Sequence, residues 1–230
     1  MMRQVALVTG AARGIGRSIA TVLAQDRALA ITFRNSDPSE LLNTHPETLA
    51  IKTDFTRPDS AQQVIDAVLT KYGRIDTLVL NAGAISADDT PDAGDVFQVN
   101  LLANDALLKA ALPHLYPGAC VIAISSVNAL LPAMSAVLYS ASKAALNTWV
   151  RGMAKNLGAK GIRVNAVAPG AINTPDAPRD AELTQQFVDN TALGRIGRPE
   201  DIANTVRFLA SEGAAFITGE VLTVSGGYRL

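Results

Sequence analysis

VALVTGAARGIG, residues 5–16, joins a short apolar run to a glycine-rich turn and the opening of a helical segment. Val5 to Val8 show no polar alternation, the pattern of a strand buried on both faces of a parallel sheet. Gly10, Gly14 and Gly16 follow at once, and Ile15 begins an apolar period suited to a helix. Glycines so placed allow a tight turn, close approach of backbone to a pyrophosphate and close packing of the next helix, whose N-terminal amides attract phosphate. Strand, turn and helix stand in the order of a dinucleotide-binding unit. A phosphate loop for nucleoside triphosphates competes for the same residues. It fails because Ala11 takes the place of the first glycine and the lysine that would reach the β- and γ-phosphates is missing.

Working outward, further apolar runs rich in Val, Ile and Leu recur at residues 29–33, 48–51, 77–80, 119–124, 162–167 and 221–224. Segments with helical spacing lie between them, at 15–23, 61–71, 96–112, 139–156 and 202–209. The alternation predicts an α/β fold: a single Rossmann-type doubly wound domain over residues 1–230, its seven-stranded parallel sheet covered by helices on both faces. Residues 34–46 are polar and hold two prolines, so any helix there is short. Residues 173–193 place two prolines before a helical stretch and are the expected substrate flap.

Bulk composition narrows the function classes. Hydrophobic residues make up 48% of the 230 and charged ones 18%, enough apolar surface for one large core. The formal charge of −1 gives no electrostatic reason to expect nucleic acid or an anionic membrane as partner, and points to a small molecule. One cysteine, Cys120, excludes an intramolecular disulfide; with only His45 and His114 beside it, no metal site is expected. Residues 115–142 lack charge, yet Pro117, Gly118, Ser125, Ser126 and Pro132 would strand polar or broken backbone in lipid. A cytoplasmic location is the expectation.

Nicotinamide cofactors differ at the adenosine ribose, where an acid after the second strand suits a free 2′-hydroxyl and an arginine suits a 2′-phosphate. Here that strand ends in Phe33-Arg34-Asn35-Ser36. Arg34 is the expected phosphate clamp, Arg13 a second cation, and Asn35 and Ser36 are hydrogen-bond donors. NADP(H) is preferred on this reading, with NAD(H) as the alternative should Asp37 reach the ribose. Tyr139 and Lys143 lie four apart on a predicted helix and share a face. A free phenol titrates near about 10, and a neighbouring ammonium stabilises its anion and eases proton exchange at neutral pH. Ser126, at the end of the fifth apolar strand, stands where ligands of such sheets bind. On their own, a Tyr/Lys pair and an Asn are ordinary surface or capping residues. Ser140-x-x-Lys143 also matches the start of a serine acyl-enzyme pattern, but its partner signatures are missing.

Together these motifs resemble the short-chain dehydrogenase/reductase family in its compact form, along essentially the whole chain, and most closely its 3-oxoacyl-carrier-protein reductases. Thr9 to Gly16 match the family's TGxxxGIG, and Tyr139 and Lys143 its YxxxK. The resemblance implies catalytic roles for Ser126, Tyr139, Lys143 and Asn100. It implies cofactor contacts at Asn81-Ala82-Gly83, at Asp54 and Phe55 near adenine, and at Pro169-Gly170, Ile172 and Thr174 near the nicotinamide. Tyr139 would donate a proton to a carbonyl oxygen as nicotinamide passes hydride to its carbon, or the reverse. Ser126 would polarise the carbonyl, Lys143 would bind the ribose, and Asn100 would hold a water leading to solvent. Leu80, Ala12 and Ser225 depart from common family residues, and the segment between Gly83 and Asn100 is short. The expected activity is NADP(H)-dependent reduction of a small ketone or 3-oxoacyl thioester. Alternatives are NAD-linked alcohol or sugar oxidation and a non-catalytic dinucleotide-binding subunit. The family also implies a homotetramer built through the third and fourth of these helical segments, 96–112 and 139–156, and the last strand. An apolar substrate wall is expected from Asn128, Leu130, Leu131, Met134 and Val137.

Overall fold

A computed structural model describes residues 3–85, 93–134, 136–176 and 178–229. Seven strands form one parallel sheet in the order β3-β2-β1-β4-β5-β6-β7: β1 Val5–Val8, β2 Ala28–Phe33, β3 Leu49–Lys52, β4 Thr77–Leu80, β5 Cys120–Ile124, β6 Arg163–Pro169 and β7 Val221–Val224. β1, β4 and β5 are buried at every position, which is why their sequences are unbroken apolar runs.

Among the described residues eight α-helices connect them: α1 Gly14–Leu23, α2 Ser39–Thr44, α3 Ser60–Tyr72, α4 Ala93–Phe97, α5 Ala103–Ala111, α6 Val137–Leu157, α7 Ala181–Asp189 and α8 Pro199–Leu209. On one face α3, α5 and α6 bury Val64, Ile65, Val68, Leu107, Leu108, Leu146 and Val150. On the other, α1 and α8 bury Ile19, Leu23, Ile202, Val206 and Leu209. Each such side chain contributes roughly 1.5–3 kcal/mol on leaving water. Gly73 ends α3 in a left-handed conformation, φ 72°, with its N–H on the Leu69 carbonyl at 2.8 Å. Asp180 starts α7 by accepting the Leu183 N–H at 2.7 Å. No helix among the described residues is long and apolar enough to cross a membrane.

The expected seven strands and both helical layers are present, with boundaries shifted by up to three residues. The helical segment expected at 96–112 is not one helix. α4 gives way to a π-helical turn, Gln98–Leu102, before α5 begins. The order of strands reverses between β1 and β4, and ligand crevices of such sheets open at that point, outside the carboxyl ends of the strands.

Candidate active site

The crevice at the switch point is built from backbone. Thr9 leaves β1 buried; its hydroxyl donates to the Val79 carbonyl at 3.3 Å and accepts the Asn81 and Ala82 N–H groups, both at 2.9 Å. Asn81 Nδ2 returns donors to the carbonyls of Thr9 and Gly10 at 2.8 and 2.9 Å. This lattice ties the glycine turn to the Asn81-Ala82-Gly83 turn. Gly10 adopts φ 65°, and a Cβ there would stand 2.9 Å from the Ala82 Cα. A Cβ on Gly16 would collide with Asn81 Nδ2 and the Gly10 carbonyl.

A cleft of about 750 Å³ opens over these turns, within the usual size for a cofactor site. Arg34, Asn35 and Ser36 line it beside Asp54 and Phe55, Arg13, Gly14, Ile15 and Gly16 along the glycine loop, then Asn81 to Ile85 and Thr174. Asp54 accepts the Thr56 N–H and hydroxyl at 3.0 and 2.8 Å. Those two bonds hold its carboxyl below the ordinary aspartate value, with the Arg34 charge a lesser contribution. Asp37 stands outside the cleft lining: β2 ends at Phe33, and the Asp37 oxygens accept the Ser39 N–H and hydroxyl at 2.9 and 2.7 Å. Ala12 is buried and brings no hydroxyl. The glycine cradle, the inward amides and the two arginines fit a dinucleotide.

Pro169, Gly170 and Ile172 do not line this cleft; they build the turn that delivers Thr174 to it. Gly170 donates to the Val224 carbonyl at 3.0 Å. A Cβ there would approach Ser225 Cβ to 2.7 Å. Ile172 is buried and bridges to Gly197.

Beyond Gly83 the side chains change from cradle to chemistry. β5 runs out into Ser126, whose hydroxyl accepts the Asn128 N–H at 3.1 Å; the Tyr139 phenol belongs to the first turn of α6. Burial pushes that phenol above its ordinary value, and Ser126 works the other way. Lys143 is 4% exposed, and burial alone lowers its amine to about 8. Its Nζ donates to the Ile124 carbonyl at 2.8 Å and lies 5.7 Å from the centroid of the Tyr139 ring. The four-residue spacing therefore brings amine and ring together, but the phenol is held up by desolvation rather than pulled down by the cation.

Asn100 sits in the π turn, 0% exposed. Its Oδ1 accepts the Ala84 N–H at 2.8 Å, and its Nδ2 donates to the Ala84 carbonyl and Ser142 hydroxyl, both at 2.9 Å. Its main-chain carbonyl accepts Asn104 Nδ2 at 2.8 Å. The side chain is thus committed to joining the cleft wall to α6. Residues 86–92 of the short segment before Asn100 lie outside the described residues.

Ser126, Leu130 and Leu131 also line a second cavity of about 440 Å³ with Thr148 and Arg151 of α6, Thr223 of β7 and Tyr228. Of the expected apolar wall, Leu130 and Leu131 reach it, whereas Met134 stands in solvent.

A family model described as enoyl-(acyl carrier protein) reductase matches residues 10–229. Versicolorin reductase of Emericella nidulans is 36% identical over 97% of this chain and 95% of its own. The chain belongs to the short-chain dehydrogenase/reductase family. Within that family, the 7alpha-hydroxysteroid dehydrogenase of Escherichia coli K12 is 34% identical over 96% of this chain and 92% of its own. A short-chain dehydrogenase of Burkholderia cenocepacia solved with NADP superposes with a TM-score of 0.93, at 33% identity, over 99% of this chain and 98% of that one. The protein is thereby an NAD(P)-dependent oxidoreductase of the short-chain dehydrogenase/reductase type.

Several residues of the site were outside the sequence reading. Thr32 holds the Gly10 N–H at 3.1 Å, Ser142 and Asn104 brace Asn100, and Asp176 accepts the Gly14 N–H at 2.9 Å. Position alone pointed to Ser142, one residue before Lys143; nothing local marked the others.

Proposed function

We propose that this short-chain dehydrogenase/reductase is an NADP(H)-dependent carbonyl reductase acting on a small ketone or 3-oxoacyl thioester. The observation that carries the reading is the buried Lys143 amine, tethered to the Ile124 carbonyl at 2.8 Å and 5.7 Å from the centroid of the Tyr139 ring. It supports a proton donor in Tyr139 with a buried amine beside it, and that amine lies next to Gly83 of the cleft lining. When bound, the cofactor supplies a hydride. Tyr139, protonated at neutral pH because burial raises its phenol, gives its proton to the carbonyl oxygen. Ser126 holds that oxygen and stabilises the charge developing on it. Lys143, tethered at Ile124, would bind ribose hydroxyls and return a proton toward Tyr139. Asn100 acts through its grip on the Ala84 turn and Ser142, holding wall and α6 in register.

Preference for NADP(H) rests on Arg34 and Arg13 in the cleft and on Asp37 being occupied elsewhere. The NADP in the Burkholderia cenocepacia structure supports it by similarity. Following NADPH absorbance over a panel of ketones tests the activity; turnover is expected, and silence with every carbonyl and either cofactor overturns it. Arg34→Ala is expected to weaken NADPH binding by ten-fold or more while sparing NADH. Equal NADPH affinity in variant and wild type removes the clamp assignment. Alcohol oxidation is the second reading, favoured by the hydroxysteroid dehydrogenase relative.

A further inference from the structure

The anion-binding end of α1 is engaged by a residue of this chain. Gly14 N–H donates to Asp176 Oδ2 at 2.9 Å, and Asp176 Oδ1 lies 3.5 Å from the Arg17 guanidinium, which also pairs with Glu40. α1 is a ten-residue helix whose first residue is Gly14. The carboxylate thus sits where free amides and the helix dipole favour negative charge. Asp176 also lines the main cleft, two residues beyond Thr174. On its far side the segment is held again: Arg179 donates to the Ile172 carbonyl at 2.5 Å and lies over the Phe187 ring at 5.2 Å.

We propose that Asp176 is a built-in competitor for the cofactor's pyrophosphate, a strap that must leave the Gly14 amide before a dinucleotide can seat there. The proposal rests on the cofactor reading above and adds a regulatory contact to it. Two anions cannot share one amide, and charges about 4 Å apart in a surface cleft repel by enough to change affinity more than ten-fold. Cofactor affinity is consequently set below what the glycine cradle alone would give, and binding is coupled to departure of the Asp176 carboxylate from the Gly14 amide. Release also frees Arg17 from one of its two carboxylates, leaving a cation beside the incoming phosphates.

The test is fluorescence or calorimetric titration of NADPH, NADH, ADP-ribose and adenosine against wild type, Asp176→Asn, Asp176→Ala and Glu182→Gln. Glu182 lies on α7 and outside the cleft lining, so its variant controls for bulk charge. Both Asp176 variants are expected to bind all three pyrophosphate-bearing ligands at least about ten-fold more tightly. Adenosine, which has no phosphate, is expected to be unaffected, and Glu182→Gln to match wild type. Unchanged or weaker binding in both Asp176 variants overturns the strap while leaving the cofactor reading intact, and so does an equal gain in Glu182→Gln. A chain that binds none of the dinucleotides in any form overturns both.

Discussion

Lys143 carries the clearest conflict between stability and function at the scale of one residue. An unfolded lysine titrates near 10.5, and burial lowers this one to about 8. Below pH 8 the amine is charged in both states, so the full cost of burying it is present, up to about 3 kcal/mol. Between pH 8 and 10.5 the unfolded chain holds the extra proton, so this contribution makes stability rise with pH. Lys143→Met removes that cost, offset by about 1 kcal/mol for the lost bond to Ile124. Denaturant midpoints are expected to favour the variant most at pH 7, with its advantage shrinking toward pH 10. A difference constant across that range contradicts the account of a strained buried cation. The partnership of Tyr139 and Lys143 was legible because helical spacing fixes which side chains share a face. The direction in which the phenol shifts was not, because it depends on how much protein surrounds the ring.

At the scale of elements, the glycine turn and the Asn81 turn are one unit. Gly16→Ala forces a methyl into Asn81 Nδ2 and the Gly10 carbonyl, both fixed by backbone bonds. It is expected to cost about 1–3 kcal/mol and to weaken dinucleotide binding, measured by urea unfolding and NADPH titration. An unperturbed variant would mean the two turns are not rigidly joined. β1, β4 and β7 were readable residue by residue because turn-forming or polar residues flank their apolar runs. The π turn at Asn100 was not: one extra residue per turn leaves the composition and apolar spacing of residues 96–112 unchanged. Nor was the Asp176 contact, since an acid after a proline reads as solvated loop until the fold places it 162 residues back on Gly14.

For the whole molecule, the exposed apolar side chains argue for partners. Phe216 projects fully, Phe208 is 45% exposed at the end of α8, and Leu102 is 54% exposed where the π turn meets α5. We expect a homotetramer joined through α5, α6 and the β7 edge. Light scattering is then expected to return about four times the 24.1 kDa chain mass, and a monomer mass contradicts it. The parallel sheet and both covering layers could be argued from strand and helix alternation. The substrate could not, because the second cavity draws its walls from the segment after β5, from α6, β6 and β7 and from Tyr228, which only the folded chain brings together.

The most direct measurement compares ketone-dependent NADPH oxidation by wild type and Tyr139→Phe, with NADPH affinity measured on both. The account predicts a rate loss of about 10²–10⁴-fold in the variant with cofactor affinity retained. Undiminished reduction without the phenol hydroxyl would contradict it.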